Sequence, residues 1–390
     1  MTARPLGVMF VIYGLAPAGP ELRLLEFARA FPEEPDRIDV HICVVGDDLT
    51  LLEEFQKTQA KVLHVPMQRP WVEWRNLRRV LDYVDANGIR VINSFNLKTL
   101  IVGVCAKLRF RSRVRLVHHL ISLWDDVGPR QRMALWAMMR FADQVLCNGH
   151  AVKEGVIGTR RLADPVSVIP NGVDCERFRP MPDTRAAVRA RLGLRDEHFV
   201  IGTVGNLRPV KNFPFLLDAM TGLADLARHA RLLCVGGGPQ LEEMKALAQS
   251  LGLADRVLFT GLARDVRPFM AAMDAFALSS RQEGNPNVVL QAMAMALPVV
   301  SVRVGEVPAV VEDGVTGLLV ESGDAAGFLA ALSRLAADPA LCHALGESGR
   351  RRVATVYSSA QMVDRYARLM QACAARAPGF QQTSTVPARW

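Results

Sequence analysis

Ala275-Phe-Ala-Leu-Ser-Ser-Arg-Gln-Glu-Gly-Asn-Pro-Asn-Val-Val-Leu-Gln-Ala-Met-Ala294 packs a strand, a turn and a helix start into twenty residues. The apolar run Ala275–Leu278 reads as a buried strand, and the stretch after the turn reads as a helix. Between them Asn285 is placed to cap the helix, with Pro286 as its first residue, where a missing N–H costs nothing. The backbone N–H groups of Asn287, Val288 and Val289 would then point out of a positive helix end, which suits a diphosphate. Glu283 stands just before the turn with Gly284, and Gln291 falls one turn beyond Asn287 on the same side. A carboxylate and an amide eight residues apart would thus face one polyhydroxylated ligand.

Outward from this stretch the same alternation recurs. In the second half the apolar runs are Phe199–Val204, Leu232–Val235, Val257–Thr260, Ala275–Leu278, Pro298–Val302 and Gly317–Val320. In the first half they are Gly7–Ile12, Val40–Val45, Val62–Val65, Val91–Ser94, Val114–His118, Gln144–Cys147 and Val166–Ile169. Continuous apolar strands separated by helices, such as Trp71 to Val84, imply parallel sheets covered on both faces. The expected fold class is α/β, with two Rossmann-like doubly wound domains facing each other across a cleft, and a ligand at the strand C-terminal ends. The first domain is expected over 1–175 and the second over 176–356. A helix at about 357–375 completes the first domain, and the tail 376–390, polar and Pro-bearing, is expected to be disordered.

Three further stretches are placed for anion binding. Gly202-Thr-Val-Gly-Asn-Leu-Arg-Pro-Val-Lys-Asn212 carries Asn206 and two cations, Arg208 and Lys211, directly after a strand. Val235-Gly-Gly-Gly-Pro239, with Gly237 at its centre, permits close backbone approach. The loop Gly14 to Gly19 offers Gly19 to a phosphate. None has the spacing of a dinucleotide fingerprint or a Walker A loop. His118 and His119 end a strand of the first domain, where a pair of histidines suits a reacting site.

The chain has 390 residues, net charge +8 and seven cysteines without a C-x-x-C pair. An odd, scattered set of cysteines is a reduced, cytoplasmic pattern rather than a disulfide framework or zinc site. No D-x-D occurs, and neither a metal nor a cofactor is expected. Arg4 before the apolar stretch Leu6–Ala16 has the look of a secretory signal, but its pattern reads better as a first strand. Residues 57–115 hold thirteen Lys/Arg against three Asp/Glu, a net of 13 − 3 = +10. With tryptophans 71 and 74, this region suits an anionic membrane surface or a lipid-diphosphate acceptor, and places the chain on the inner face of the membrane. Nucleic acid is not expected, since no binding module is present.

Taken together, Val168–Asp174, Gly205–Asn212, Val235–Pro239, Asp265–Asp274, Glu283–Met293 and Gly314–Val320 resemble the family-4 glycosyltransferases of the GT-B fold, over roughly residues 7–372. These are enzymes of bacterial polysaccharide and lipid-linked glycan synthesis. The resemblance implies a nucleotide-sugar donor bound by the second domain and a glycan or lipid-linked acceptor. It implies that Lys211 neutralises the diphosphate, helped by the helix end at Asn287 and Val288. It places Leu262 to Arg264 at the base, Glu283 at the donor sugar, residue 291 at the ribose, and His119 or His118 near the transferred sugar. It further implies retention of anomeric configuration, without metal, by front-face attack with the leaving phosphate as base. The chain departs from the family pattern at Gln291 (usually Glu), Asn206 (usually Arg), Ala296 (usually Gly), and Glu306 and Ala309 in the Gly-Gly-x-x-Glu stretch. A neutral amide in place of a carboxylate costs about 1 kcal/mol, roughly fivefold. Two other readings fit the same pattern: a weakened or inactive nucleotide-sugar-binding relative or partner subunit, and a nucleotide-sugar epimerase.

Overall fold

The computed structural model describes residues 5–17, 19–30, 38–67, 73–121, 128–157, 166–226 and 229–376. Arg4, Trp71 and the tail from 377 onward lie outside the described residues. The chain divides into two units, 1–171 with 359–390, and 172–358.

The first unit is built on a seven-stranded parallel sheet. Its strands are β1 (Leu6–Ile12), β2 (Ile38–Val44), β3 (Lys61–His64), β4 (Ile89–Ser94), β5 (Arg115–Leu120), β6 (Gln144–Cys147) and β7 (Val166–Val168), in the order β3-β2-β1-β4-β5-β6-β7. Every residue of β1 is buried, as a central strand covered on both faces requires. The helices Trp74–Ala86, Leu97–Phe110 and Pro129–Met139 cover one face, through Leu77, Val80, Leu100, Val104 and Leu135. The helices Gly19–Ala30 and Ser359–Ala375 cover the other, where Phe27 meets Tyr366 edge-on at 5.4 Å. The last helix buries Met362, Tyr366, Leu369 and Met370 in the core of the first unit.

The second unit repeats the design with six parallel strands. They are β8 (Phe199–Val204), β9 (Ala230–Val235), β10 (Val257–Phe259), β11 (Ala275–Leu278), β12 (Val299–Val302) and β13 (Gly317–Val320), ordered β10-β9-β8-β11-β12-β13. The strand order reverses between β8 and β11, and ligands of open α/β sheets bind outside the strand C-termini at such a switch point. At the opposite edge Asp274 ties the same two strands. Its carboxylate accepts from the Val200 N–H (2.7 Å), from Arg189 (3.2 Å) and from Arg185 (2.5 Å).

The helix after β11 runs Asn287–Ala294, one residue later than expected: Pro286, not Asn285, is the cap, and no side chain caps it. Pro286 uses its carbonyl instead, accepting from Val289 N–H at 3.1 Å. The helix ends at Met295, and Ala296 follows in the left-handed region at φ 57°. A Cβ there costs about 1 kcal/mol, which explains why glycine is usual at this place in the family. Ala296→Gly is expected to raise the melting temperature of the second unit by about 2–4 °C, measured by calorimetry.

Candidate functional site

Four loops at the C-terminal edge of the second sheet are stitched together by backbone bonds. After β8, Gly205 N–H donates to Val235 O (3.0 Å) and Leu207 N–H to Gly237 O (2.8 Å). Gly236 N–H donates to Gly261 O (3.0 Å), which brings Gly237 beside Leu262. A Cβ on Gly236 would lie 2.0 Å from the Gly205 carbonyl oxygen, so this crossing accepts only glycine. On the other side of the switch point, Arg281 N–H donates to Val210 O (2.8 Å) and the Ser279 hydroxyl to Lys211 O (2.9 Å).

These bonds fix the turn Pro209–Lys211, which Asn212 closes in a left-handed conformation at φ 53°. The outcome is an ion pair between the two residues singled out above: Lys211 Nζ lies 2.6 Å from Glu283 Oε1. The side chains are 26% and 11% exposed, so the pair is shielded yet reachable. It stands where β8 and β11 diverge, with the start of the helix Asn287–Ala294 a few residues on. A fixed ammonium group beside a helix N-terminus favours a bound diphosphate.

Of the other expected residues of this unit, Asn206, Arg208, Leu262 and Arg264 are exposed, while Gly237, Gly284, Asn287, Val288 and Gln291 are half-buried and Asn285 is buried. Val289, expected to offer its N–H, already gives it to the Pro286 carbonyl.

Gly305 is the residue that the sequence reading missed. It follows β12 at φ 51°, and a Cβ there would fall 1.8 Å from the Glu283 carbonyl oxygen. The next residue, Glu306, is buried and donates its N–H to Gly284 O at 3.0 Å. The β12 loop therefore backs the Glu283–Gly284 turn. The signal was a glycine directly after a buried strand.

The remaining expected residues belong to the first unit. Gly19 opens the helix Gly19–Ala30 and is exposed. The histidines, expected to end β5, are both 1% exposed, and the strand runs one residue past them to Leu120. Successive strand residues point to opposite faces. His118 Nδ1 meets Ser94 Oγ at 2.9 Å, whereas His119 stacks between Phe95 and Tyr366, with Nε2 2.9 Å from Asn93 Oδ1. An amide oxygen only accepts, so Nε2 carries the proton and Nδ1 is left as a bare acceptor, with no hydrogen-bond partner among the described residues. A small cavity beside it is lined by Phe10, Arg23, Phe27, Phe95 and Tyr366.

Burial lowers the pKa of His118 to about 4, against a smaller upward pull from Ser94. Burial, then the Arg23 charge, holds His119 well below its ordinary value. Both rings are neutral at pH 7. An unfolded histidine takes up its proton near pH 6.5. The folded-state stability from His118 is therefore complete above about pH 6.5 and is lost as pH falls toward about 4, on the order of 3 kcal/mol in all. The tryptophans among the described residues, Trp74 and Trp136, lie in the first unit and the second unit has none, so fluorescence reports unfolding of the first unit separately. Urea midpoints followed this way should drop over that pH window, and His118→Gln should flatten the drop. A pH-independent midpoint would contradict the assignment.

Among the described residues no group of three or more His, Cys, Asp or Glu is placed to hold a metal ion.

Two Rossmann-like units on parallel sheets of seven and six strands are the architecture of the GT-B class of proteins. Comparison with known proteins gives the family. The family model "Glycosyltransferase Family 4" matches residues 17–177, and "Glycosyl transferases group 1" matches 198–338. The chain belongs to the family-4 glycosyltransferases.

A GDP-mannose-dependent alpha-(1-6)-phosphatidylinositol monomannoside mannosyltransferase from Mycolicibacterium smegmatis is 39% identical over 191 residues, 47% of this chain and 50% of that protein. A mannosyltransferase of the same name from Mycobacterium tuberculosis is 29% identical over 322 residues, 72% of this chain and 83% of that protein. The chain thus spans about half the length of the first of these relatives. Among solved structures, Anabaena HepE in complex with UDP and glucose superposes with a TM-score of 0.83 at 22% identity, over 94% of this chain and all of that one.

Proposed function

We propose that the chain transfers a hexose from a nucleoside-diphosphate sugar to a hydroxyl of a glycan or lipid-linked acceptor, with retention of configuration and without a metal ion. The observation that carries this reading is the Lys211–Glu283 pair at the switch point of the second sheet. Breaking the bond from the anomeric carbon to phosphate leaves negative charge on the diphosphate. A fixed ammonium and a helix N-terminus stabilise that charge as it develops, the task a metal performs elsewhere. The acceptor oxygen bonds to the anomeric carbon on the face the phosphate leaves, and its proton passes to the departing phosphate oxygen. Glu283, held by Lys211, accepts hydrogen bonds from the donor sugar, and Gln291 from the ribose. The buried histidines, being neutral, serve as hydrogen-bonding groups rather than as cations.

The relatives' names specify GDP-mannose, and the HepE structure contains UDP and glucose. A thermal-shift panel of GDP- and UDP-sugars is therefore the direct test. The true donor at about a hundredfold excess over its dissociation constant should stabilise the chain by about 2–3 kcal/mol. Transfer assays with that donor in the presence of EDTA should proceed undiminished. Binding without transfer to any acceptor would favour a non-catalytic relative, and an altered sugar released without acceptor would favour an epimerase.

A further inference from the structure

In the first unit the helix Leu97–Phe110 packs between Trp74–Ala86 and Pro129–Met139, in the layer over one face of the sheet. The outward side of such a helix is ordinarily polar. Here the residues that are not fully buried along it include Leu97, Ile101, Cys105 and Leu108, at i, i+4, i+8 and i+11, which is one stripe. Leu97 and Cys105 still pack partly on the core, and the stripe opens to solvent at its Leu108 end. Leu108 is 60% exposed. The cations on the same helix sit beside the stripe, and two are engaged: Lys98 with the Met67 carbonyl, and Lys107 with Asp143 at 2.8 Å.

The flanks of the stripe are arginine. Arg75 and Arg79 are exposed on one neighbouring helix, Arg130 and Arg140 at the two ends of the other, and Arg109 and Arg111 at the end of the stripe. Among the described residues none of these six forms an ion pair, although nearby Arg78 and Arg113 do so with Asp82 and Asp85. Trp74 and Met133 stand out from the same layer at 82% and 70% exposure. The basic region at 57–115 is thereby resolved into two parts. Lys57, Lys61, Lys107 and Arg115 are spent on internal pairs, and the free charge gathers around an apolar stripe, extended by a helix beyond residue 115.

We infer that this three-helix face docks on an anionic lipid bilayer. A second copy of the chain meeting the face about a two-fold axis would set arginine against arginine. Nucleic acid would neutralise the arginines but leave Trp74, Leu108 and Met133 in water. A bilayer surface with anionic headgroups satisfies both components, with arginines at the phosphates and apolar tips at the acyl boundary. The inference is independent of the donor chemistry and stands or falls separately from it.

The test is flotation of the full chain with vesicles of phosphatidylcholine alone or with about one-third phosphatidylglycerol. The chain should float with the mixed vesicles and not with the neutral ones. Each neutralised arginine should weaken partition about fivefold, so Arg75→Gln/Arg79→Gln/Arg130→Gln/Arg140→Gln together should weaken it by on the order of a hundredfold or more. These side chains are exposed and unpaired, so the melting curve should not move. Leu108→Ser/Met133→Ser should remove the binding that survives high salt. Failure of the wild type to float, or equal flotation of the quadruple variant, overturns the inference. So does a wild-type dimer that the quadruple variant abolishes without any flotation, since that would assign the face to a second copy.

Discussion

Lys211→Ala is expected to lower kcat/KM by about a hundred- to a thousandfold while leaving the fold intact. The scale is that of removing one preorganised group that stabilises charge in a transition state. The fold should survive because Lys211 is held by its backbone, through Ser279 to its carbonyl and Arg281 to Val210, and not by its ammonium group. Deleting the ammonium also leaves the Glu283 carboxylate, only 11% exposed, facing the incoming diphosphate uncompensated. That adds repulsion to the lost attraction. The double variant Lys211→Ala/Glu283→Ala should therefore bind donor no worse than Lys211→Ala alone, a non-additivity expected of residues in contact. Steady-state kinetics and donor titration of the three variants measure it. Full activity in both single variants would remove the basis of the site.

The second large effect concerns stability. Asp274→Ala should destabilise the second unit by about 3–5 kcal/mol, because it strands a buried arginine: Arg189 is 4% exposed and pairs with Asp274 at 3.2 Å. The Val200 N–H, 2.7 Å from the same carboxylate, loses its acceptor as well. The second unit contains no tryptophan, so calorimetry should show one transition moving down while the tryptophan-monitored one stays. A shift below about 1 kcal/mol would mean that water or a rotated Arg189 replaces the carboxylate readily.

The sheets were legible because buried parallel strands write themselves as unbroken apolar runs. Phe199–Val204, Gln144–Cys147 and Gly317–Val320 have the ends expected of them. Lys211 and Glu283 were legible as separate candidates, each following a strand. Their pairing was not, since it depends on β8 and β11 being neighbours while β9 and β10 intervene in the chain. The cap was misplaced by one residue because Asn285-Pro286 satisfies the local rule, whereas burial of Asn285 takes its side chain out of the capping position. The surroundings of the histidines were not legible from their place near a strand's end. Phe95 and Tyr366 cover His119, and Tyr366 comes from a helix almost 250 residues away in the sequence.

That last helix has a consequence for how the protein is made. The second unit is one uninterrupted run of chain, 172–358, and can close as soon as it emerges from the ribosome. The first unit cannot: Phe10, Phe27 and His119 keep a bare apolar flank until Met362, Tyr366 and Leu369 have been translated. At ordinary translation rates that is a wait on the order of ten seconds or more. During that interval the half synthesised first is the half finished last, and it is the natural client for a chaperone.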